Sequence, residues 1–524
     1  MAPTNHSILR CNITARRIAR LTATAAVAMS APLLASQPAD SIKSLTAQPV
    51  APALQPLPPL DVTSTDFAAE IQKLVEEFQP PSAKTADAVN GWPKLIEAAA
   101  ILYRLQQEAR PAGDAADGGP VPNFQVFLDK EFAAGMADDE RQTVEDLTRK
   151  LLERAIKAGV PAKLAEARRS SRMIRARVDS PERAAQNISL GADDEYDGRL
   201  FNVLLPEVGM FRHLARMNAV LMQEAAASGD WRGFTDAMEN NLAIGRACVG
   251  QMLVIDRLVG SAIHALTITT ALKQISLRQP SEDVLAVVSA AVERQLMEPP
   301  PLDCQLRGER PLDLDCFRWV FENADKLDAK QLADLTGRSE QSTIPVTLGG
   351  LNRDTCVRLV EEMSLKCRQY AVLPATQRLT AETPDEWFES QRGPETLLVG
   401  ILLPAVQKAC ASEDLISITR AGFRAVLAVE RCQRQTGRWP TSWEDVIARG
   451  LLTAPPADVV TGQTLRYKLL DALDAQGRTY LIYSIGTDME DNGGIEDVSG
   501  TNPRFYAINN IRKGKGFDYV VNQR

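Results

Sequence analysis

The chain has 524 residues, a formal charge of −8, and 45% apolar, 24% charged and 5% aromatic residues. This length exceeds one ordinary domain, and the balance is that of a soluble globular protein. Net acidity argues against a nucleic-acid partner, which needs a basic surface, and few aromatics favour helices over aromatic-rich sheets.

Arg10, Arg16, Arg17 and Arg20 precede the apolar run Leu21–Ala35, and the first acidic residue is Asp40. A basic segment followed by a short apolar one describes a signal peptide over residues 1–35. The run falls short of the roughly 20 residues a bilayer span needs, and Pro32 interrupts it. No membrane span is therefore expected in the mature chain; an uncleaved N-terminal anchor is the alternative. Loss of the four arginines takes the charge from −8 to about −12. Residues 36–63 are rich in Pro, Ala, Ser and Gln and read as an extended linker. The expected location is outside the cytoplasm, in the periplasm or at the cell surface.

Helical periodicity begins at Phe67, with Ile71, Leu74, Val75 and Phe78 on one face. Further helices are expected at 92–108, 123–134 and 138–158. The basic stretch 163–186, with Arg168, Arg169, Arg172, Arg175, Arg177 and Arg183, reads as a solvated helix face balanced by nearby acids rather than a binding patch. The acidic segment 191–198 lacks the odd-position spacing of a calcium loop and reads as a solvated linker. Helices follow at 203–227, 231–249, 253–277 and 281–296, joined by Gly, Asp and Pro turns. Residues 299–311 read as a loop. Helices resume at 315–327, 328–336, 352–370 and 384–389. The fold class is thus mainly α, with a helical array over 64–393; a division into two subdomains would fall near 187–202.

Outside the signal, seven scattered cysteines form no disulfide framework and no CxxC zinc pair. Cys304 and Cys316 flank the Arg- and Pro-rich segment and would form a bridge in an oxidising compartment. The mature chain keeps only His213 and His264, both on apolar helical tracts, where a structural histidine is expected. Glu361 and Glu362 point to different helix faces and make no acid/base pair. No HExxH, GxSxG, phosphate-loop or dinucleotide motif occurs. No catalytic residue is assigned.

The C-terminal region, 394–524, changes character. An apolar start leads into the amphipathic helix ISITRAGFRAVLAVERCQRQTG, which Gly437 closes before Arg438-Trp439-Pro440. A short helix at 442–450 follows, then strands at 464–469 and 479–485. Phe505–Ile508 and Phe517–Val521 are further strand candidates. After the strand 479–485, Asp488, Glu490, Asp491 and Asn492 supply hard oxygen donors, and Gly493-Gly494 lets the backbone curl. Position twelve of an EF-hand counted from Asp488 is Ser499, so that motif is rejected.

The phrases TGRWP, PPADVVTGQTLRY and YLIYSIGTDMEDNGG, in this order, resemble the soluble domain of type II secretion major pseudopilins and related pilin-like proteins. The resemblance covers about 396–524, and the whole chain resembles large exported proteins of planctomycete-type bacteria. It implies a small α+β domain, one long helix plus an antiparallel sheet, with a structural calcium ion in the loop. The implied metal residues are Asp488, Glu490, Asp491, Asn492 and Asp518. A solvated acidic turn is the alternative reading. The chain departs from the family in two ways: its apolar segment is internal and broken by Pro404, and residues 495–516 are inserted before Asp518. The expected function is structural or interaction-based, with an envelope protein as partner. The alternatives are an envelope hydrolase with a carboxylate site in the helical body, and a component of a secretion or pilus-like system.

Overall fold

The computed structural model describes residues 54–80, 83–85, 88–110, 120–192, 199–200, 205–323, 351–393, 395–400, 405–486, 489–496 and 518–522. It is mainly helical with a small antiparallel sheet region. The longer helices, in chain order, are α1 (Phe67–Glu77), α2 (Trp92–Glu108), α3 (Asp138–Lys157), α4 (Val160–Arg168), α5 (Pro181–Ser189), α6 (Pro206–Ser228), α7 (Trp231–Val249), α8 (Val254–Arg278), α9 (Glu282–Gln295), α10 (Leu302–Glu322), α11 (Arg353–Ala371), α12 (Val406–Thr436) and the single-turn α13 (Trp443–Ile447). Strands β1 (Ala457–Asp458) and β2 (Gln463–Thr464) form one antiparallel pair. Strands β3 (Arg466–Leu469), β4 (Tyr480–Ser484) and β5 (Tyr519–Val520) form the second sheet, with β4 central. The expected strand at 505–508, the helix at 328–336, the acidic segment 193–198 and the signal region 1–35 lie outside the described residues. No helix among the described residues is long and apolar enough to cross a membrane.

Local chemistry sets many helix ends. The carboxylates of Asp66 and Asp230 accept the N–H groups of Ala69 and Gly233, satisfying donors that an open first turn leaves free. Thr383 and Glu386 make a reciprocal capping box at the short helix Pro384–Ser390. Gly437 ends α12 with φ 72°, a left-handed cap that a Cβ would strain.

Among the described residues, the three largest apolar cores hold most of the helices. Trp92, Leu102, Leu151, Leu164, Phe211 and Ile244 build the first, from α2, α3, α4, α6 and α7. Trp92 is fully buried and sits edge-on to Phe211 at 5.4 Å between ring centroids. Phe67, Leu314, Phe317, Leu359 and Val406 belong to the second, which joins α1, α10, α11 and the start of α12. The third runs from Phe234, Ile268 and Val288 on α7–α9, through Phe423 and Val426 on α12, to Trp443 and Ile482 beside the sheet. With 31 residues, α12 is about 46 Å long and contributes to two cores. Apolar packing therefore runs without a break from the helical array into the C-terminal sheet. Gly422 makes the close approach possible: a Cβ there would lie 2.3 Å from Val521 Cγ1.

Three expectations require correction. Residues 302–311 are helical rather than a loop. Leu302, Leu306, Arg310, Leu314 and Phe317 form a buried stripe at helical spacing, and Pro311 is carried inside α10. Packing of that stripe outweighs the roughly 3 kcal/mol an interior proline costs. Cys304 and Cys316 therefore share one helix, with Cα atoms about 18 Å apart, beyond the 4.4–6.8 Å a disulfide spans. The arginines of 163–186 are only in part a solvated face: Arg169 is exposed and Arg172 and Arg177 meet acids at the surface, but Arg183 is 1% exposed, and Arg168 and Arg175 turn inward onto carboxylates.

Candidate functional site

The acidic turn follows β4, the most buried strand of the sheet. At its start the Ser484 hydroxyl donates to Asp458 Oδ2 at 2.8 Å, while Asp458 Oδ1 accepts the N–H of Val460 at 3.0 Å. These bonds tie the end of β4 to the β1–β2 turn. Asp488 lies outside the described residues. Asp491 Oδ1 accepts the Tyr483 hydroxyl and the Gly493 N–H, each at 2.9 Å. Asp518, at the foot of β5 and only 5% exposed, meets the turn from 24 to 26 residues further along the chain. Its Oδ2 accepts the Gly494 N–H at 2.7 Å, and its Oδ1 faces the Asn492 N–H at 3.4 Å. Gly494 has φ 83°, and a Cβ there would meet Leu481 Cδ1 at 2.6 Å. The tight turn thus needs glycine on both conformational and steric grounds.

The structure consequently brings Asp491, Asn492 and Asp518 together. Glu490 is exposed beside them, and its carbonyl accepts from the Asn492 side chain at 3.3 Å. Two cationic side chains join the turn: Arg466 Nε is 3.5 Å from Asp491 Oδ2, and Lys468 Nζ donates to the Gly493 carbonyl at 3.0 Å. Burial and the Asp491 carboxylate raise the Tyr483 phenol above its ordinary value, so it stays a donor. The oxygens are of the hard type calcium prefers, while the Gly493 carbonyl beside them is taken by Lys468. Among the described residues, no group of three or more His, Cys, Asp or Glu side chains is placed to hold a metal.

The helical body holds a second, denser set of charges that the linear pattern did not reveal. Glu207 on α6 is fully buried. It accepts from both terminal nitrogens of Arg183 at 3.0 and 3.1 Å, and Arg175 Nε lies 2.8 Å from its Oε1. Arg175 also forks onto both oxygens of the fully buried Asp256 on α8 and lies over the Trp92 ring at 5.1 Å. Two guanidiniums and two carboxylates thus cancel inside the fold. Burial alone would push the Glu207 carboxyl up, but Arg183 and Arg175 hold it below the usual glutamate range.

Next to this quartet, Glu309 and Asp313 stand one turn apart on α10. Glu309 accepts the Val254 N–H at 2.7 Å and so caps the start of α8. Burial pushes its carboxyl up to about 7, and nearby Asp256 adds to the rise. Asp313 is 5% exposed, and burial and Glu309 raise it well above the ordinary aspartate range. The i, i+4 spacing of this pair is in the sequence, but reading 299–311 as a loop concealed it.

Where α12 crosses α8, Arg257 and Arg420 share Glu413. Arg420 also donates to His264 Nδ1 at 2.9 Å. That bond fixes the ring's proton on Nε2, which donates to the Leu242 carbonyl at 3.1 Å. Burial and Arg420 keep His264 neutral, so it is a structural link between helices, as its apolar surroundings imply. Glu361 pairs with Arg310, and Glu362 with Arg358, on different faces of α11.

Comparison with protein-family models, curated proteins and solved structures returns no match for this chain.

Proposed function

We propose that this is an exported envelope protein with a structural, protein-binding role: a helical scaffold that carries a pseudopilin-like module whose acidic turn takes a structural calcium ion. One observation carries the reading. Asp518, 24 to 26 residues further along the chain, faces the N–H groups of Asn492 and Gly494 beside Asp491, just after the central strand. A long helix capped by Gly437, a short helix and strands β1–β4 precede that turn, in the order the pseudopilin resemblance implies. The ion would be held by Asp491, Asp518, the carboxylate of Glu490 or Asp488, the Asn492 amide and turn carbonyls. Its chemistry would be charge neutralisation, not catalysis. The departure from a pilin is also physical. The start of α12, with Val406, Ala409 and Cys410, is buried in one core with α10 and α11, where it cannot serve as a free assembly helix. This favours a scaffold over a working subunit of a secretion or pilus machine.

Two experiments test the proposal. Because the sheet shares its core with the helical body, the full chain is the object to use. Calcium added to EDTA-treated protein at about 100 times its Kd contributes about 2.7 kcal/mol and raises the melting temperature; an unchanged melting temperature contradicts the ion. Fractionation of native cells places the protein in the envelope or outside; recovery only from the cytoplasm contradicts export.

A second reading, an envelope hydrolase, draws on Glu309 and Asp313, whose raised proton affinity is what a general acid needs. It predicts that a soluble carbodiimide labels Asp313 in the folded protein. Protection of Asp313 until unfolding contradicts this reading and leaves the pair as part of the core.

A further inference from the structure

Buried arginines in this fold come with carboxylates: Arg175 with Asp256, Arg183 with Glu207, Arg310 with Glu361, Arg368 with Asp303 and Arg378 with Asp414. Arg246 instead donates to the Arg168 and Ser170 carbonyls, and one pair among the described residues has neither kind of partner. On α6, Arg212 and Arg216 stand four residues apart, so their side chains share a face about 5–6 Å apart at Cβ. Both are half-buried, and among the described residues neither has an ion-pair or hydrogen-bond partner. His213 sits between them in sequence, also half-buried. Its Nδ1 lies 3.4 Å from the amide nitrogen of Gln106 on α2. That nitrogen can only donate, so Nδ1 accepts and the ring proton sits on Nε2 as a further donor.

The local electrostatics run one way. Burial lowers the Arg216 guanidinium below its ordinary value, and Arg212 lowers it further. Burial, Arg216 and Arg212 together push His213 down to about 4. No carboxylate contributes at either group. A like-charged i, i+4 pair weakens a helix by itself, and partial burial adds to the cost. The quartet elsewhere on α6 shows the alternative: there Glu207 neutralises the arginines that reach it.

We infer that Arg212, Arg216 and the Nε2 proton of His213 form a binding site for a small phosphate-class oxyanion. Two guanidinium forks match the several oxygens and double charge of phosphate, whereas one carboxylate would neutralise only one of them. His213 stays neutral there and serves as a donor without adding a third charge. The site lies on α2 and α6, away from the acidic turn, and does not depend on the calcium reading.

The test titrates full-length protein with inorganic phosphate by calorimetry, against chloride at equal ionic strength. The wild type binds phosphate. Arg216→Gln weakens binding at least about tenfold, the loss expected for charge-assisted hydrogen bonds, and Arg212→Gln does the same. Arg358→Gln, at an exposed cation on α11, leaves binding unchanged. In phosphate-free buffer Arg216→Gln melts no lower than wild type, because it removes an uncompensated charge. The inference is overturned if wild type shows no phosphate binding in the millimolar range, if Arg216→Gln and Arg358→Gln bind alike, or if both site variants melt lower without phosphate. Should Arg216→Gln fail to fold, that failure counts as the third of these results for Arg216, and Arg212→Gln decides the binding comparison.

Discussion

Replacing Glu207 with Gln probes the buried quartet most sharply. The glutamate is fully buried, takes two hydrogen bonds from Arg183 and lies 2.8 Å from Arg175 Nε. Glutamine keeps the shape but removes the charge, and it turns an amide NH2 toward guanidinium donors. Asp256 is then the one carboxylate of the quartet left to balance two buried guanidiniums. Breaking a buried pair in this way costs about 3–5 kcal/mol. That is a large part of the roughly 5–15 kcal/mol that holds a typical domain. Urea unfolding followed by circular dichroism reads it as a lower midpoint at unchanged slope. The double variant Arg183→Met/Glu207→Leu removes both partners and leaves the Arg175–Asp256 fork in place. It should cost less than Glu207→Gln alone, because no charge is left stranded. A loss under about 1 kcal/mol for Glu207→Gln, or a double variant as damaging as the sum of Arg183→Met and Glu207→Leu, would refute the reasoning.

Glu309 supplies a pH prediction. Its folded pKa of about 7 lies above the ordinary 4.5, so the folded state binds the proton more tightly. Stability from this group is full below pH 4.5 and is lost as pH rises through about 7. The loss is on the order of 2 kcal/mol after allowing for partial solvent contact. Glu309→Gln should flatten the pH dependence of the urea midpoint in that window and raise stability at pH 8; a parallel profile would contradict the assignment. Gly494→Ala forces a side chain into φ 83° and toward Leu481. It should cost about 1–3 kcal/mol by thermal unfolding, and a neutral result would mean the turn is not held as described.

Much of the array was legible because its helices announce their own ends. Trp92-Pro93 at the start of α2, Gly229-Asp230 between α6 and α7, and Gly437 after α12 set boundaries that the structure reproduces within a residue or two. The two strands β3 and β4 were equally visible, expected at 464–469 and 479–485, and they pair antiparallel. What stayed hidden was long-range. Pro311 reads as a breaker unless the partners of its helix are known. Arg175 and Arg183 read as solvent-facing because Glu207 and Asp256, which neutralise them, lie dozens of residues away. Asp491 and Asn492 could be marked from the acidic, glycine-closed pattern. The way Asp518 folds back onto the backbone N–H groups of Asn492 and Gly494 is a property of the sheet, not of the local sequence.

Calcium binding by the full-length, EDTA-treated protein is the most direct test of the proposed module. Titration calorimetry should show one site, with a Kd on the order of 10⁻⁴–10⁻³ M, the range of extracellular calcium modules. Asp518→Asn should weaken it at least about tenfold, as one charged ligand is lost. No calcium-dependent heat in the wild type, or equal binding in wild type and Asp518→Asn, would contradict the account and leave Lys468 and Arg466 as the cations of the turn.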